Sequence, residues 1–588
     1  MLPPVLAASR SIMLPAIVLG AITVAVLWIA TRIIYLLYWH PLANYPGPKL
    51  AAISGLWHTR TMFSDKWPFN PPSLGDVVRI GPNEVSFGTA QAYQDIYGHV
   101  KKGQQGRFLK TAFYDSSGGD PHPRITIVRD PDQHARQRRA LSHAFSAQSL
   151  RDQEATIQKY LSQFVAQIAR LGEDGGKALN MTDCFTWITF DIIGQYDFLS
   201  SSPPPASNDI YIYSPALTDT SLPFPPGDLA FAEPFGAIQQ GRPDPWISII
   251  SDALVAERIS TALRSHLPLL RPLLLPLLLP SRDTLSHLRH HQALTRAKAR
   301  RRLARGDIGR ADFFSHMLRR RVRVVDDTHG TSDDSTSGGT TTTTTTMPEA
   351  EIASQAHSLI IAGSETTATA LAAATWHLLR HPSCLARLQR EVRPAFASAI
   401  ITAGGGDDAA LQRLPYLRAV IDETLRLFPV VPLGLPRYAP SPASGTGAPP
   451  VLIDGHDVPP GTVVSVDPLT LSRSPRYWHE PEAFRPERWL HHNVNGGEGG
   501  GSSSPSPFAG DERRASQPFS TGPRGCLGIN LAHLELRVIL ARLVWMFDWE
   551  LAEELDDWLH ACKMRVLWKK PDLWVKYRPV ERGGGEMD

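Results

Sequence analysis

Phe519-Ser-Thr-Gly522-Pro-Arg524-Gly525-Cys526-Leu-Gly528 sets one cysteine in a glycine-punctuated loop, two residues after an arginine and just before a helical pattern from Ile529 to Met546. A thiolate is the nucleophilic and metal-binding form of cysteine, and a nearby cation or a helix N-terminus stabilises it. Gly525 and Gly528 let the backbone approach a flat ligand closely, and amides near the sulfur tune its electron donation. Zinc and iron–sulfur clusters need several ligands, so a one-cysteine site fits them poorly. A haem iron needs only one protein ligand. A buried structural cysteine ahead of a helix is the competing reading, because free cysteine is mostly a small core residue.

The ten residues resemble the haem-binding signature of the cytochrome P450 family, Phe-x-x-Gly-x-Arg-x-Cys-x-Gly, with Phe519, Gly522, Arg524, Cys526 and Gly528 filling every fixed position. The resemblance implies a mainly α fold with small β-sheets, the cytochrome P450-like haem-thiolate fold with an N-terminal transmembrane helix. It also implies haem b, its iron held by the axial thiolate of Cys526.

Pro348-Glu-Ala-Glu-Ile, running on to Ala362-Gly363-Ser364-Glu365-Thr366-Thr367, opens with a proline and two early glutamates, a helix-start signal. The residues that follow are apolar on nearly every face, as in a helix crossing a domain centre. Gly363 costs such a helix about 1 kcal/mol relative to alanine, so a reason for it is expected: a bare position where the helix bulges and a ligand approaches. Glu365 and Thr366 are expensive to bury without a polar task. The string resembles the family's distal helix, where the threonine hydroxyl holds dioxygen and its water and the acid links them to solvent protons. That resemblance implies Thr366 and Glu365 as catalytic residues. A threonine bonded back to its own helix is the bland alternative.

Glu423-Thr-Leu-Arg426 places two opposite charges on one helical face. With Pro481-Glu-Ala-Phe484-Arg-Pro486-Glu-Arg488-Trp489 downstream, it resembles the family's Glu-x-x-Arg helix and Pro-x-x-Phe-x-Pro-x-Arg-Trp loop. Glu423, Arg426 and Arg488 are then expected to form a buried charge network that retains haem. Haem carries two propionates, for which Arg524, Arg437 and the pair His134/Arg138 are the cationic or polar candidates. The last pair sits on a helix expected over 131–145, and many relatives have tryptophan where this chain has His134. Arg136 and Arg139 are expected on that helix's outer face, where a basic surface would suit an acidic redox partner.

Residues 12–30 are almost wholly apolar and 33–39 prolong the run past Arg32, which is long enough to span a bilayer as a helix. A cleaved signal peptide would have a shorter apolar region. Arg10 and Arg32 flank the span, so charge alone does not set its orientation. Tyr45-Pro-Gly-Pro-Lys49 resembles the family's stiff connector between an endoplasmic-reticulum anchor and a cytosolic domain. The apolar stretch 267–280 is too short and too proline-rich to span, and reads as a buried loop or a patch dipping into the same bilayer.

The chain is thus divided into an anchor over 1–40, a catalytic domain over 41–578 and a disordered tail over 579–588. Residues 326–346 and 491–517 read as low-complexity loops. Residues 195–227, rich in proline and serine and without helical or strand period, read as an insertion or a retained intron within one helical segment. Four scattered cysteines argue against a disulfide framework, and a net charge of +3 argues against a dedicated nucleic-acid binder.

The function these features imply is a haem-thiolate monooxygenase acting on an apolar small molecule, similar to fungal microsomal enzymes of secondary metabolism such as trichothecene hydroxylases. Electrons would come from NADPH through a separate NADPH-cytochrome P450 reductase, with cytochrome b5 as a second donor. Two other classes stay open: a haem-thiolate isomerase or dehydratase, and an inactive membrane protein disrupted by 195–227.

Overall fold

The computed structural model describes residues 5–63, 75–100, 106–115, 122–194, 236–242, 249, 255–257, 259–264, 270–279, 284–304, 322–324, 343–345, 347–398, 407–441, 450–490, 506–553, 557–564 and 567–581. The stretch 195–227, most of 326–346, the first part of 491–517 and the end of the C-terminal tail lie outside the described residues.

Among the described residues, nine helices of twelve residues or more carry the fold: α1 (Val5–Ile34), α2 (Pro131–Ser142), α3 (Ala147–Leu171), α4 (Met181–Gly194), α5 (Thr284–Ala304), α6 (Glu349–Arg380), α7 (Pro382–Ser398), α8 (Pro415–Leu427) and α9 (Ile529–Met546). The helix α2 ends three residues short of the expected 145; Asp130 caps its start by accepting from Gln133 N. The main core lies where α3, α4, α6, α7, α8 and α9 converge, with α4 lying along α6 and α9 packing on α3, α7 and α6. Leu371, Val420, Ile539 and Leu543 are fully enclosed there.

The short strands β1 (Val77–Gly81), β2 (Glu84–Phe87), β3 (Leu109–Lys110), β5 (Arg437–Tyr438) and β6 (Val463–Val466) make one sheet in the order β1-β2-β6-β5-β3. Its two halves come from opposite ends of the domain: β6 inserts parallel to β2 and antiparallel to β5. A second sheet, β7 (Phe547–Leu551), β8 (Trp574–Pro579) and β4 (Leu179–Asn180), staples the C-terminus to the start of α4. The threonine run read as linker contributes Thr343–Thr345 to an antiparallel pair with Val322–Val324; β-branched residues suit a strand.

The segment Val18–Trp39 is the helix among the described residues that is long and apolar enough to cross a membrane, and none of its apolar window is buried against the domain. A turn of π-helix, Tyr35–Trp39, ends it, and the proline connector follows. Arg79 on β1 ties that connector down. Its guanidinium, almost fully buried, donates to Leu36 O at 2.9 Å and Pro82 O at 2.7 Å, and more weakly to Leu42 O and Ala52 O at 3.4 Å. Arg79 N also donates to Pro46 O at 2.6 Å, while a Cβ on Gly47 would sit 2.3 Å from Arg79 O. Only glycine allows that approach.

The apolar 267–280 stretch contains a short helix, Arg271–Leu278, with two faces. Leu274 and Leu275 pack on Val255, Ile259 and Leu263, whereas Leu273 and Leu277 point outward, 71% and 76% exposed.

Replacing Arg79 by leucine removes donors from several buried carbonyls at once, and each such loss costs about 1–3 kcal/mol. Arg79→Leu is therefore expected to lower the thermal unfolding midpoint clearly, and to make the chain near Pro46–Pro48 more sensitive to limited proteolysis.

Candidate active site

The cysteine loop is held by its own backbone. Cys526 N donates to Phe519 O at 2.7 Å and Gly525 N to Gly522 O at 3.0 Å, around a single 3₁₀ turn at Gly522–Arg524. Gly522 has φ +70°, and a Cβ there would meet Tyr97 O at 2.2 Å, so both conformation and space demand glycine. Gly528 caps the start of α9. Phe519 packs on His533 at 4.9 Å between ring centroids. Cys526 retains an accessible side chain, unlike Cys184, Cys384 and Cys562, which are buried. Burial by the surrounding loop pushes its thiol above the usual range, opposed by the Gly528 N–H and the Arg138 guanidinium. Those two groups are what a thiolate ligand needs around it.

Glu423, Arg426 and Arg488 come together with essentially no exposure. Arg426 grips Glu423 through two parallel bonds of 2.8 Å, and Arg488 Nε donates to the same carboxylate at 3.0 Å. Trp489 Nε1 at 2.9 Å and Arg485 N at 2.8 Å complete its shell. Arg426 also donates to Ser472 O and Pro481 O. The second positive charge is balanced by Asp511, buried and bonded to Arg488. Sequence reasoning missed Asp511 because it lies in the stretch taken for a low-complexity loop. Residues 506–517 instead fold onto the network: Arg513 donates to Arg488 O at 2.7 Å, and Ala515 is buried.

A cluster of cations assembles around the loop. Arg524 donates to Val128 O at 2.7 Å and Arg129 O at 2.9 Å. Arg437 donates to the Tyr114 hydroxyl at 2.7 Å. Lys110, also missed, donates to Thr126 O at 2.6 Å and lies directly opposite Arg437 across the β3–β5 pair. Only the cross-strand register reveals it. Among the described residues none of the three has a carboxylate as a hydrogen-bond partner, although like charges face to face across strands are destabilising. Burial and then Arg437 bring Arg524 down to about 10, and burial with Arg524 and Arg437 holds Lys110 well below the usual amine range. A buried cationic cluster of this kind fits an anionic group, such as the two carboxylates of a haem.

His134 is buried, and burial together with Arg524 and Lys110 lowers it to about 3, so the imidazole is neutral. Arg138 donates to Gly525 O at 2.6 Å, which places it against the cysteine loop itself. Arg136 is not on a bare outer face. It pairs with Glu351 at 2.5 Å, tying α2 to α6, because that buried carboxylate needs a cation.

On the distal helix α6, Ala362 is exposed and Thr366 half-buried, one turn apart, in a segment otherwise largely enclosed. Thr366 Oγ1 donates to Ala362 O at 2.5 Å, leaving its oxygen as an acceptor. Glu365 points elsewhere and accepts from Lys570 Nζ at 3.1 Å. Gly363 has a packing role in place of the expected bulge: α6 runs on as one α-helix, and a Cβ at Gly363 would lie 2.6 Å from Ile193 Cδ1 of α4. Behind this face Glu535 of α9 is fully buried against Thr367, and desolvation raises its carboxyl to about 8.

Comparison with known proteins gives one family. A cytochrome P450 family model matches residues 227–577. A cytochrome P450 monooxygenase of Botryotinia fuckeliana is 38% identical over 92% of this chain and 92% of its own. The averantin hydroxylase of Dothistroma septosporum is 32% identical over 95% of this chain and 91% of its own, and the trichothecene C-15 hydroxylase of Fusarium sporotrichioides 31% over 94% and 96%. In fold, the chain resembles a crystal structure of a cytochrome P450 haem domain with a TM-score of 0.64 and 18% identity, covering 91% of this chain and 98% of that one.

Two outcomes follow from the geometry. Arg488→Leu leaves Glu423 and Asp511 short of a cation in the interior and is expected to cost about 3–5 kcal/mol, with loss of haem from the purified protein. Glu535 binds its proton more tightly in the folded chain (about 8) than its ordinary 4.5, so the unfolded chain releases that proton first as pH rises. Glu535 therefore subtracts stability progressively between about pH 4.5 and 8. The thermal midpoint of Glu535→Gln, compared with that of the unsubstituted chain, should gain ground from pH 5 to pH 8.

Proposed function

The chain belongs to the cytochrome P450 family, and from that premise we propose that it is a membrane-anchored haem-thiolate monooxygenase in which Cys526 ligates the iron of haem b. One observation carries this reading: an accessible thiol, on a loop locked by Gly522, lies beside a largely buried cluster of cations that has no carboxylate hydrogen-bond partner among the described residues. Haem, when bound, supplies the activation of dioxygen. This chain's residues do the rest.

Cys526 Sγ is held for ligation by the Phe519 and Gly522 carbonyls, which fix the loop, and its negative charge is favoured by Gly528 N–H and Arg138. Arg524, Arg437 and Lys110 would hold the propionates, with His134 as a neutral partner. Glu423, Arg426, Arg488 and Asp511 keep the chain leading into the loop rigid. Above, Thr366 orients water by accepting a hydrogen bond at Oγ1, and Glu365 holds and releases a proton at its carboxyl oxygen.

Two of the relatives are named as hydroxylases of averantin and of a trichothecene, and an apolar fungal secondary metabolite is the substrate proposed here. The electron donor is a separate NADPH-cytochrome P450 reductase, with cytochrome b5 as an auxiliary. The helix at Val18–Trp39 anchors the chain in the endoplasmic reticulum membrane with the domain on the cytosolic side, and the outward leucines of Arg271–Leu278 rest on the same bilayer.

The test is the absorption spectrum of the reduced protein under carbon monoxide, taken on the whole chain, on the chain without 195–227 and on Cys526→Ser. The whole chain is expected to give a thiolate-type Soret band that Cys526→Ser lacks. A band from the shortened chain alone would mark 195–227 as an insertion that spoils the fold. Silence from both sinks the haem assignment.

A further inference from the structure

Residues 123–128 run between the cation cluster and the distal helix α6, and hydrogen bonds fasten their main chain on both sides. Ile125 N donates to Gln355 Oε1 of α6 at 3.0 Å, and Gln137 Nε2 donates to Pro123 O at 2.8 Å. From the opposite side Lys110 Nζ reaches Thr126 O at 2.6 Å and Arg524 reaches Val128 O at 2.7 Å. Thr126 is the exposed residue of the six. Its Oγ1 lies 2.9 Å from Oγ of Ser358, which is buried on α6.

For each of these hydroxyls the other is the hydrogen-bond partner among the described residues. Two O–H groups share one bond, so one proton and several lone pairs stay uncommitted. Ser358 is enclosed and finds its acceptor in Thr126, which leaves the accessible Thr126 hydroxyl to donate outward. Helical geometry says where it stands. Ser358, Ala362 and Thr366 follow one another at intervals of four along one ridge of α6. Ala362 is exposed and Thr366 half-buried, so this ridge borders accessible space. At a rise of 1.5 Å per residue, Ser358 stands about 12 Å from Thr366 along the axis.

We propose that Thr126, oriented by Ser358, is a specificity-determining anchor for a neutral hydroxyl or carbonyl oxygen of the substrate. The proposal rests on the monooxygenase reading above and narrows its substrate class. The apolar scaffold already carries an oxygen when it arrives, and that oxygen lies about 12 Å from the end presented beside Thr366. Arg124, the one guanidinium on the segment, is engaged by Glu257 at 2.9 Å, so the position suits a neutral oxygen over a carboxylate. With the main chain of 123–128 already fastened, little ordering is lost when the bond to substrate forms.

The experiment uses the full chain with haem bound and a ruler of probes in place of the substrate. The probes are 1-alkylimidazoles and their ω-hydroxy counterparts, in a series of increasing tether length. The imidazole nitrogen takes the open side of the iron, and the difference spectrum gives each dissociation constant. The hydroxy probe should bind about fivefold tighter than its alkyl counterpart once the tether bridges about 12 Å, and no tighter when shorter. Thr126→Val and Ser358→Ala should each lose that preference while binding the alkyl probes as before. Thr126→Ser, which keeps the hydroxyl, should retain it.

A hydroxyl that adds nothing at any tether length overturns the proposal. So does an equal gain at every length, or a preference that survives Thr126→Val. Should Thr126→Val fail to load haem, Ser358→Ala is read by the same criteria. A chain without a thiolate-type carbon monoxide band, or without an imidazole difference spectrum from any probe, would sink the haem reading itself, an outcome distinct from all of these.

Discussion

The carboxylate of Glu423 is the constraint on which the rest of the structure depends. It is fully enclosed and accepts from two guanidiniums, an indole and a backbone amide. No isolated buried charge survives such a position; it is tolerable because Arg426 and Arg488 are equally enclosed and Asp511 restores neutrality. Through these four charges, α8, the segment around Trp489 and the chain leading into the cysteine loop become one rigid piece. The indole of Trp478, with Arg426 at 5.0 Å and Arg488 at 5.7 Å from its ring centre, fills the space above both cations. The loop adds its own anchors, Arg524 on the carbonyls of Val128 and Arg129 and Arg138 on Gly525 O, to this base.

Beside that neutral network lies a region of the opposite character. Lys110 and Arg437 are brought face to face by strand register, and Arg524 reaches the same area from the cysteine loop. Hydrogen bonds to carbonyls satisfy their donors without neutralising their charge. Binding of a dianionic cofactor would relieve that repulsion, so cofactor loading and stability of this end of the sheet are coupled through one set of side chains.

The distal side is governed by packing. Gly363 lets α4 settle against α6 through Ile193, and α4 is in turn pinned at its start by the C-terminal strand β8 through β4. The same C-terminal segment carries Lys570 to Glu365. The acidic residue of the distal helix is therefore held by chain that lies 205 residues downstream of it.

Much of this was legible in the sequence because local motifs encode local geometry. Gly522 and Cys526 define a loop whose backbone needs glycine, the apolar run of α6 with its early acids defines a buried helix, and residues 12–39 define a span by length and hydropathy alone. The family and its mainly helical fold with small sheets follow from those motifs. What only the tertiary structure decided were pairings between distant segments. Asp511 hid in a stretch whose composition resembles linker, because a single buried ion pair leaves no trace in local composition. Lys110 became part of the cationic cluster only through its register with Arg437. Arg136 looked like surface charge until Glu351 from another helix met it, and Gly363 looked like a ligand site until Ile193 filled the space. Periodicity and spacing report which face of an element is buried; they carry no information about which partner, folded in from elsewhere in the chain, will satisfy a charge or occupy a gap.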